Sequence, residues 1–590
     1  RRMASFAGDC ENCESPQVKI TLDREKNTLT ISDNGIGMND EEIKKYINQV
    51  AFSSAEEFLE KYKKDNDEFI GHFGLGFYSS FMVSEKVEII TKSAIGDSKA
   101  FKWSCDGSPS FTLQDSEREE IGTDVILYLL DEEKEFIEPA RIKSLIKKYC
   151  DFMPIDVLLE GECINKKNPP WRKSPSELKD EDYIELYKYL YPYQGEPLLW
   201  IHLNTDFPYN IQGILYFPKL SGRADWEKGE IKLYCNQVFV SDSIKEIVPR
   251  YLLPLRGVID STDIPLNVSR SALQTDRKVR SISSFISKKI ANKLKDLLKN
   301  TPKFYAEIWD SISAFVKIGV MEDEKFSELA LNNIIFETKV GLNLDKEKEV
   351  EDESLINFNG QFFTTLENYS DRNKNHEDNK IIYCTDEISQ SNALNLWLSN
   401  NREVIKADPL IDAQFIPWLE SQNEKYKFQR VDSEINDDSK KDSPEIVDKD
   451  GKSNTDNIKE IITKALNNDK VTVKVQSLNN NAPPALILLP EQMRRINDMG
   501  AYMEQKIPGL PEYHVLLVNK DHPLINGLIK TSDKKIILKE KGADETSLTE
   551  RIANHIYAMA KLTVGGLDQK QIVDLQLNNA ELITELLNSN

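Results

Sequence analysis

No run of about 18 apolar residues occurs in the chain, so no segment offers itself as a membrane-spanning helix, and a soluble protein with no membrane partner is expected. Basic residues are in deficit. Against 98 Asp and Glu stand 76 Lys and Arg, a net charge of −22 that repels nucleic-acid phosphates, so a protein-facing role is expected and nucleic acid is not an expected partner. Paired cysteines are scarce too: seven are spread over 590 residues, and only Cys10 and Cys13 stand close together. A zinc site would need a second pair or histidines at ligand spacing, and the six histidines, among them His72, His202 and His376, are scattered. Reduced thiols and a cytoplasmic location are the expectation. The first residues, "RRMASFAGDC", carry no leader-like apolar segment and no starting methionine, which reads as an internal starting point and leaves targeting undecided from this end.

What remains is globular. Apolar residues make up 39% and charged ones 29%, and the length exceeds what one hydrophobic core supports, so three or four domains are expected. Alternation in "VKITLDREKNTLTIS" (Val18 to Ser32) predicts a hairpin turning at Arg24 to Asn27, and "SSAEEFLEKYKK" predicts a helix capped by Ser54 and Glu57. Further strands are predicted at Lys86 to Lys92, Ala100 to Cys105 and Thr123 to Leu129, giving an α/β layer over residues 1–160. Pro154, Pro169, Pro170 and Pro175 mark a passage into a second domain, 169–433. It has strand-like segments at Leu198 to Leu203, Ile211 to Phe217 and Ile231 to Val240. A helix follows with Ile282, Phe285, Ile286, Ile290, Leu294 and Leu297 on one face, then an α/β unit from Lys380 to Val431. Residues 434–456 are too polar to pack and read as a linker, and 457–590 form a last domain. That domain ends in two apolar helices, one with Leu548, Ile552, Ile556, Met559 and Leu562 and one with Leu582, Ile583, Leu586 and Leu587. They either dock on their own domain or pair with a second copy.

The glycine-rich "GHFGLGF" (Gly71 to Phe77) lacks the Lys-Ser or Lys-Thr of a P-loop, and by itself is a phosphate loop or a packing turn. Upstream, "SDNGIGMND" places Asp33 after a strand, where a carboxylate can accept a hydrogen bond from an amine such as that of adenine. Gly35 and Gly37 let backbone approach a flat ligand, and Met38 offers a soft apolar surface, although Asp-Asn-Gly is also ordinary turn chemistry. Downstream, "EIGTDVILYL" puts Gly122 and Thr123 at a strand start, where the hydroxyl reaches the same ligand directly or through water, or simply opens the strand.

In order, these motifs resemble the nucleotide site shared by DNA gyrase B, histidine kinases, the mismatch-repair protein MutL and the ninety-kilodalton heat-shock chaperones. The stretches "LPLRGVIDSTDIPLNVSRSALQTDRKVRSI" (Leu253 to Ile282) and "PPWRKSPSELKDEDYIELYKYLY" (Pro169 to Tyr191) are similar to the chaperone branch, and the region around the glycine loop is similar to its bacterial members. The resemblance covers nearly the whole chain and is weakest beyond Asp450. It implies a multidomain α/β (α+β) architecture: an N-terminal ATPase sandwich, an α/β middle domain and an α/β C-terminal dimerisation domain. It further implies ATP with Mg2+ as cofactors, Asp33 at the adenine and Gly74, Leu75, Gly76 and Phe77 at the phosphates, with Gly37, Met38, Gly71 and Thr123 also in the ATP-binding site. Arg270 and Gln274 match a catalytic loop reaching the terminal phosphate. Trp171 matches a tryptophan implicated in client contact or coupling between domains, and a lid is implied over Asn39 to Ile70. The implied activity is ATP-driven cycling of a dimer, joined through its C-terminal helices, that binds unfolded or partly folded client proteins.

Two departures qualify this. The family's Glu-x-x-x-Asn, whose glutamate activates water and whose asparagine binds Mg2+, does not occur between Arg1 and Asp33, so truncation is expected, the alternative being an ATP-independent holdase. Phe52 stands where many members have a lid lysine, and "ELLNSN" is unlike the acidic helper-binding tail of eukaryotic cytosolic members.

Overall fold

The computed structural model describes residues 15–49, 75–96, 98–219, 230–242, 244, 247–264, 277–340, 353–375, 379–433, 453–478, 482–490, 513–532 and 548–588. The chain divides into two compact units, Arg1–Lys293 and Leu294–Asn590.

In the first unit, the alternating apolar residues expected to form a hairpin do so. β1 (Gln17–Asp23) pairs antiparallel with β2 (Thr28–Asp33), and Asn27 takes the left-handed conformation in the turn. Next come α1 (Asp40–Tyr46), β3 (Ser84–Lys92), β4 (Ala100–Cys105), β5 (Thr112–Ser116), β6 (Gly122–Leu129), α2 (Pro139–Leu145), β7 (Asp156–Leu159) and β8 (Glu162–Cys163). The strands form one sheet in the order β5-β4-β3-β6-β2-β1-β7-β8, antiparallel except for β1 with β7. Its core joins Leu29, Val87, Ile89, Trp103 and Leu127 from strands to Ile43 of α1 and Ile142 of α2, a sheet-and-helix layering in which each apolar face covers the other.

The same unit continues with α3 (Asp180–Leu190), β9 (Leu199–Thr205), β10 (Ile211–Phe217), β11 (Ile231–Cys235), β12 (Val238–Ser241), β13 (Arg256–Ser261) and the first part of α4 (Arg277–Asn300), a helix within which the division at Lys293 falls. The sheet runs β12-β11-β13-β10-β9. One expected strand, Ile231 to Val240, is instead a hairpin. Asn236 and Gln237 both have positive φ, the conformation a two-residue antiparallel turn requires, and Cys235 pairs with Val238 across it. On α4, Ile282, Ile286, Ile290 and Leu294 are buried at helical spacing, whereas Phe285 and Leu297 are only half-buried.

The second unit begins with α5 (Pro302–Glu322) and α6 (Glu324–Ala330). It builds a six-stranded sheet from β14 (Ile335–Lys339), β15 (Ile356–Phe358), β16 (Gln361–Thr365), β17 (Lys380–Cys384), β18 (Val404–Lys406) and β19 (Lys427–Arg430), with α7 (Leu366–Arg372), α8 (Ser391–Ser399) and α9 (Asp412–Gln422) between them. The order is β15-β16-β14-β18-β17-β19, so the α/β unit expected from Lys380 starts earlier, because β14 supplies the neighbour of β18. A buried ion pair, Lys317 to Asp412 at 2.7 Å, ties α5 to α9. Last come α10 (Asn454–Leu466), β20 (Val471–Gln476), β21 (Ala485–Leu488), β22 (His514–Asn519), α11 (Pro523–Ser532), α12 (Leu548–Thr563) and α13 (Gln569–Asn588), around the sheet β20-β22-β21. The apolar face expected on α12 is rotated: Ala553, Ile556 and Ala560 are buried, and Met559 and Leu562 are exposed.

Candidate functional site

The register of the first sheet assembles the site. β2 ends on Asp33, whose cross-strand partner on β6 is Thr123, and Thr123 is opposite Thr91 on β3. Because directly opposed residues share a face, the three side chains stand in a row across three strands. The chain after Asp33 turns back sharply: Asp33 Oδ1 accepts the Gly35 N–H at 2.8 Å, and the Ala94 N–H donates to Ile36 O at 2.7 Å.

The glycines here have a reason different from the one expected. Gly37 has φ +63°, and a Cβ on it would lie 1.9 Å from the Lys92 carbonyl oxygen; Gly122 has φ +132°, and a Cβ would lie 2.1 Å from the Asp33 carbonyl oxygen. At both positions a side chain is excluded because protein backbone closes on protein backbone. Met38, next in the loop, packs its side chain partly into the core, while its N–H donates to Thr91 Oγ1 at 2.9 Å. Thr91 Oγ1 is also 3.0 Å from Thr123 Oγ1 and 3.2 Å from the Gly122 carbonyl oxygen. Thr91 is completely buried. A threonine inside "VEIITK" carries no signal beyond strand preference, so sequence reasoning passed over the residue that joins loop, strand start and hydroxyl.

Burial pushes the Asp33 carboxyl above its ordinary range, opposed by the Gly35 N–H and by the positive charge of Arg118. Arg118 is itself paired with Asp124. Among the described residues, Asp33 Oδ2 has no hydrogen-bond partner, and Thr123 Oγ1 has none besides Thr91. A half-buried carboxylate with one free oxygen beside a hydroxyl fits a ligand edge that carries an N–H donor next to a second polar atom, as adenine does.

On the other side, the residues after the glycine loop form a short 3-10 helix, Gly76–Met82, with no side-chain cap at Leu75. A Cβ on Gly76 would meet nothing within 4 Å among the described residues, so their packing does not require this glycine. The Phe77 ring is turned into the core, 5.8 Å from Trp103 and 6.1 Å from Phe81, which leaves only its backbone for a ligand. Gly71, Gly74, Arg270 and Gln274, together with Phe52 and the predicted helix at 54–62, lie outside the described residues.

The expected lid starts too early. Asn39 and Glu42 cap α1 reciprocally at 2.8 and 2.9 Å, and Ile43 has no exposed surface. Ile47 O accepts from Tyr78 Oη at 2.6 Å, and Asn48 Oδ1 from Trp103 Nε1 at 2.9 Å. These contacts fix residues 39–48 to the sheet, and the remainder of the expected lid, 50–70, lies outside the described residues. Trp171 is also corrected. It is fully buried, 4.7 Å from Phe152 and 5.6 Å from Tyr234, with its indole N–H 3.2 Å from Asp260 Oδ2, so no client reaches it in this conformation. It instead joins Phe152, which follows α2, to the second sheet.

Among the described residues, no group of three or more His, Cys, Asp or Glu could hold a metal ion. Cys105, Cys150, Cys163, Cys235 and Cys384 are free thiols, Cys10 and Cys13 lie outside the described residues, and burial raises the Cys384 thiol to about 11. No helix among the described residues is long and apolar enough to cross a membrane.

Comparison with known proteins adds the following. Residues 156–588 match the family model described as Hsp90 protein, and residues 5–117 match the one described as histidine kinase-, DNA gyrase B- and HSP90-like ATPase. The chaperone protein HtpG of Porphyromonas gingivalis is 40% identical over 560 residues, covering 90% of this chain and 78% of the relative. That of Bacteroides fragilis is 41% identical over 536 residues, covering 86% and 76%. A more distant HtpG, from a Sulfurovum species, is 31% identical over 557 residues, covering 88% and 84%.

Proposed function

The chain belongs to the Hsp90 protein family, and from that premise we propose that it is a molecular chaperone whose first sheet binds ATP and whose domains bind unfolded or partly folded proteins. The observation that carries the nucleotide assignment is Asp33, a half-buried carboxylate with one oxygen committed to Gly35 and the other without a partner among the described residues, one strand from the Thr123 hydroxyl. Asp33 accepts the exocyclic N–H of adenine, and Thr123 meets the adjacent ring nitrogen directly or through one water. Backbone amides of Gly71, Gly74, Leu75, Gly76 and Phe77 face the phosphates, and Arg270, with Gln274 beside it, offers a guanidinium to the terminal one. Bound ATP with Mg2+ supplies a phosphoanhydride whose cleavage resets a two-state cycle.

Exposed Met559 and Leu562 on α12, and Val573, Leu577 and Ile583 on α13, support a homodimer joined through these helices. Free thiols and acidic charge support a cytoplasmic site of action. The test is suppression of aggregation of a chemically unfolded protein, with and without ATP. The expected result is protection that ATP modulates, together with a scattering radius that contracts on ATP and does not contract in Arg270→Ala. Absence of protection under all conditions would sink the reading.

A further inference from the structure

Thr91 is the most connected hydroxyl of the site and the one that no motif marks. Three groups converge on its single oxygen: the Met38 N–H at 2.9 Å, the Gly122 carbonyl at 3.2 Å and the Thr123 hydroxyl at 3.0 Å. With one proton to give, Thr91 has two arrangements. In the first it donates to Gly122 O and accepts from Thr123, which leaves Thr123 with lone pairs only. In the second it donates to Thr123 Oγ1, and Thr123 then has a proton free to leave the network. Both arrangements keep the Met38 N–H satisfied, and they differ only in what Thr123 presents beside Asp33.

We propose that Thr91 is a positioning residue for base recognition, holding Met38 in place and setting Thr123 as a hydrogen-bond donor toward a ring nitrogen that accepts. The proposal rests on the adenine-nucleotide reading above. Asp33 as acceptor and Thr123 as donor together complement adenine, whose amine donates and whose N1 accepts. They oppose hypoxanthine, in which O6 accepts and N1–H donates. Without the Thr91 hydroxyl the partly buried Met38 N–H loses its acceptor, and Thr123 rotates freely between donor and acceptor roles.

Calorimetric titration of the purified full chain with ADP and with inosine diphosphate tests this, using Thr91→Val, Thr91→Ser, Thr123→Val and the double variant Thr91→Val/Thr123→Val. The wild type is expected to prefer ADP. Thr91→Val should weaken ADP binding about tenfold and narrow the preference over inosine diphosphate, whereas Thr91→Ser, which keeps the hydroxyl, should restore both. In the Thr123→Val background the effect of Thr91→Val on affinity should shrink to about twofold, the part transmitted through Met38. A merely structural role would lower the melting temperature of the free protein without changing the ratio of the two affinities. Wild-type ADP binding with an unaltered ratio in Thr91→Val would overturn the proposal and leave the nucleotide reading intact. Failure of the wild type to bind ADP would overturn both.

Discussion

Asp33 and Asp260 are carboxylates on two sheets of the same unit, and they are treated in opposite ways. Asp260, on β13, has a side chain with no exposed surface, and it accepts from Trp171 Nε1, Arg172 Nε and the Gln237 N–H, with Arg172 also ion-paired at 3.0 Å. Asp33, at the end of β2, accepts one N–H and keeps an oxygen without a partner among the described residues. A saturated buried acceptor holds a fold together, because each donor aimed at it would be stranded by its loss. An acceptor kept half-satisfied costs stability, and a ligand that completes it turns that cost into affinity. The aromatic joint around Trp171 and the proposed nucleotide edge around Thr123 are therefore built from similar parts for different ends.

The hardest way to break the contrast is to remove Asp260. Asp260→Ala leaves the Trp171 and Arg172 donors facing an empty site and should cost about 3 kcal/mol or more in urea unfolding. Asp33→Ala should not lower stability comparably. Next in size is Gly37→Ala. Its methyl would enter the Lys92 carbonyl at a positive φ, so about 1–3 kcal/mol of destabilisation is expected, with ADP affinity falling as Met38 is displaced. Trp171→Phe sharpens the comparison, since it keeps the ring beside Phe152 but loses the N–H. Arg172 and Gln237 still serve Asp260, so about 1 kcal/mol should be lost with nucleotide affinity unchanged.

The smallest effect is in pH. Asp33 has its carboxyl raised from the ordinary 3.8, so between that value and the raised one the folded chain keeps a proton that the unfolded chain has released. Its contribution favours folding below this window and is lost as pH rises through it. Thermal unfolding across pH 3.5 to 6 should show Asp33→Asn removing that part of the slope, whereas a slope unchanged by the substitution would contradict the half-satisfied description of Asp33.

Local pattern disclosed a good deal of this. The hairpin β1–β2, strands β3, β4 and β6, and the helix α4 follow from residue periodicity that tertiary packing did not override, whereas for α12 the periodicity gave the helix but not the face it buries. Asp33 and Thr123 were legible because turn glycines flag their strand ends. Thr91 was not, since its importance comes from the register that puts β3 beside β6, a long-range pairing with no local mark. The purpose of Gly37 was hidden for the same reason: the atom it avoids, the Lys92 carbonyl oxygen, is 55 residues away in the chain. Trp171 was expected at client contact or at coupling between domains, and only the enclosure by Phe152, Tyr234 and Asp260 shows where its ring goes.

The most direct measurement is a calorimetric ADP titration of the wild type and Asp33→Asn, paired with the melting temperature of each without nucleotide. An amide cannot present the charged acceptor, so affinity should fall about 100-fold while the melting temperature stays level or rises. Equal affinity in the two proteins, or a melting temperature that falls together with it, would mean that Asp33 supports the fold as Asp260 does and is not the nucleotide's acceptor.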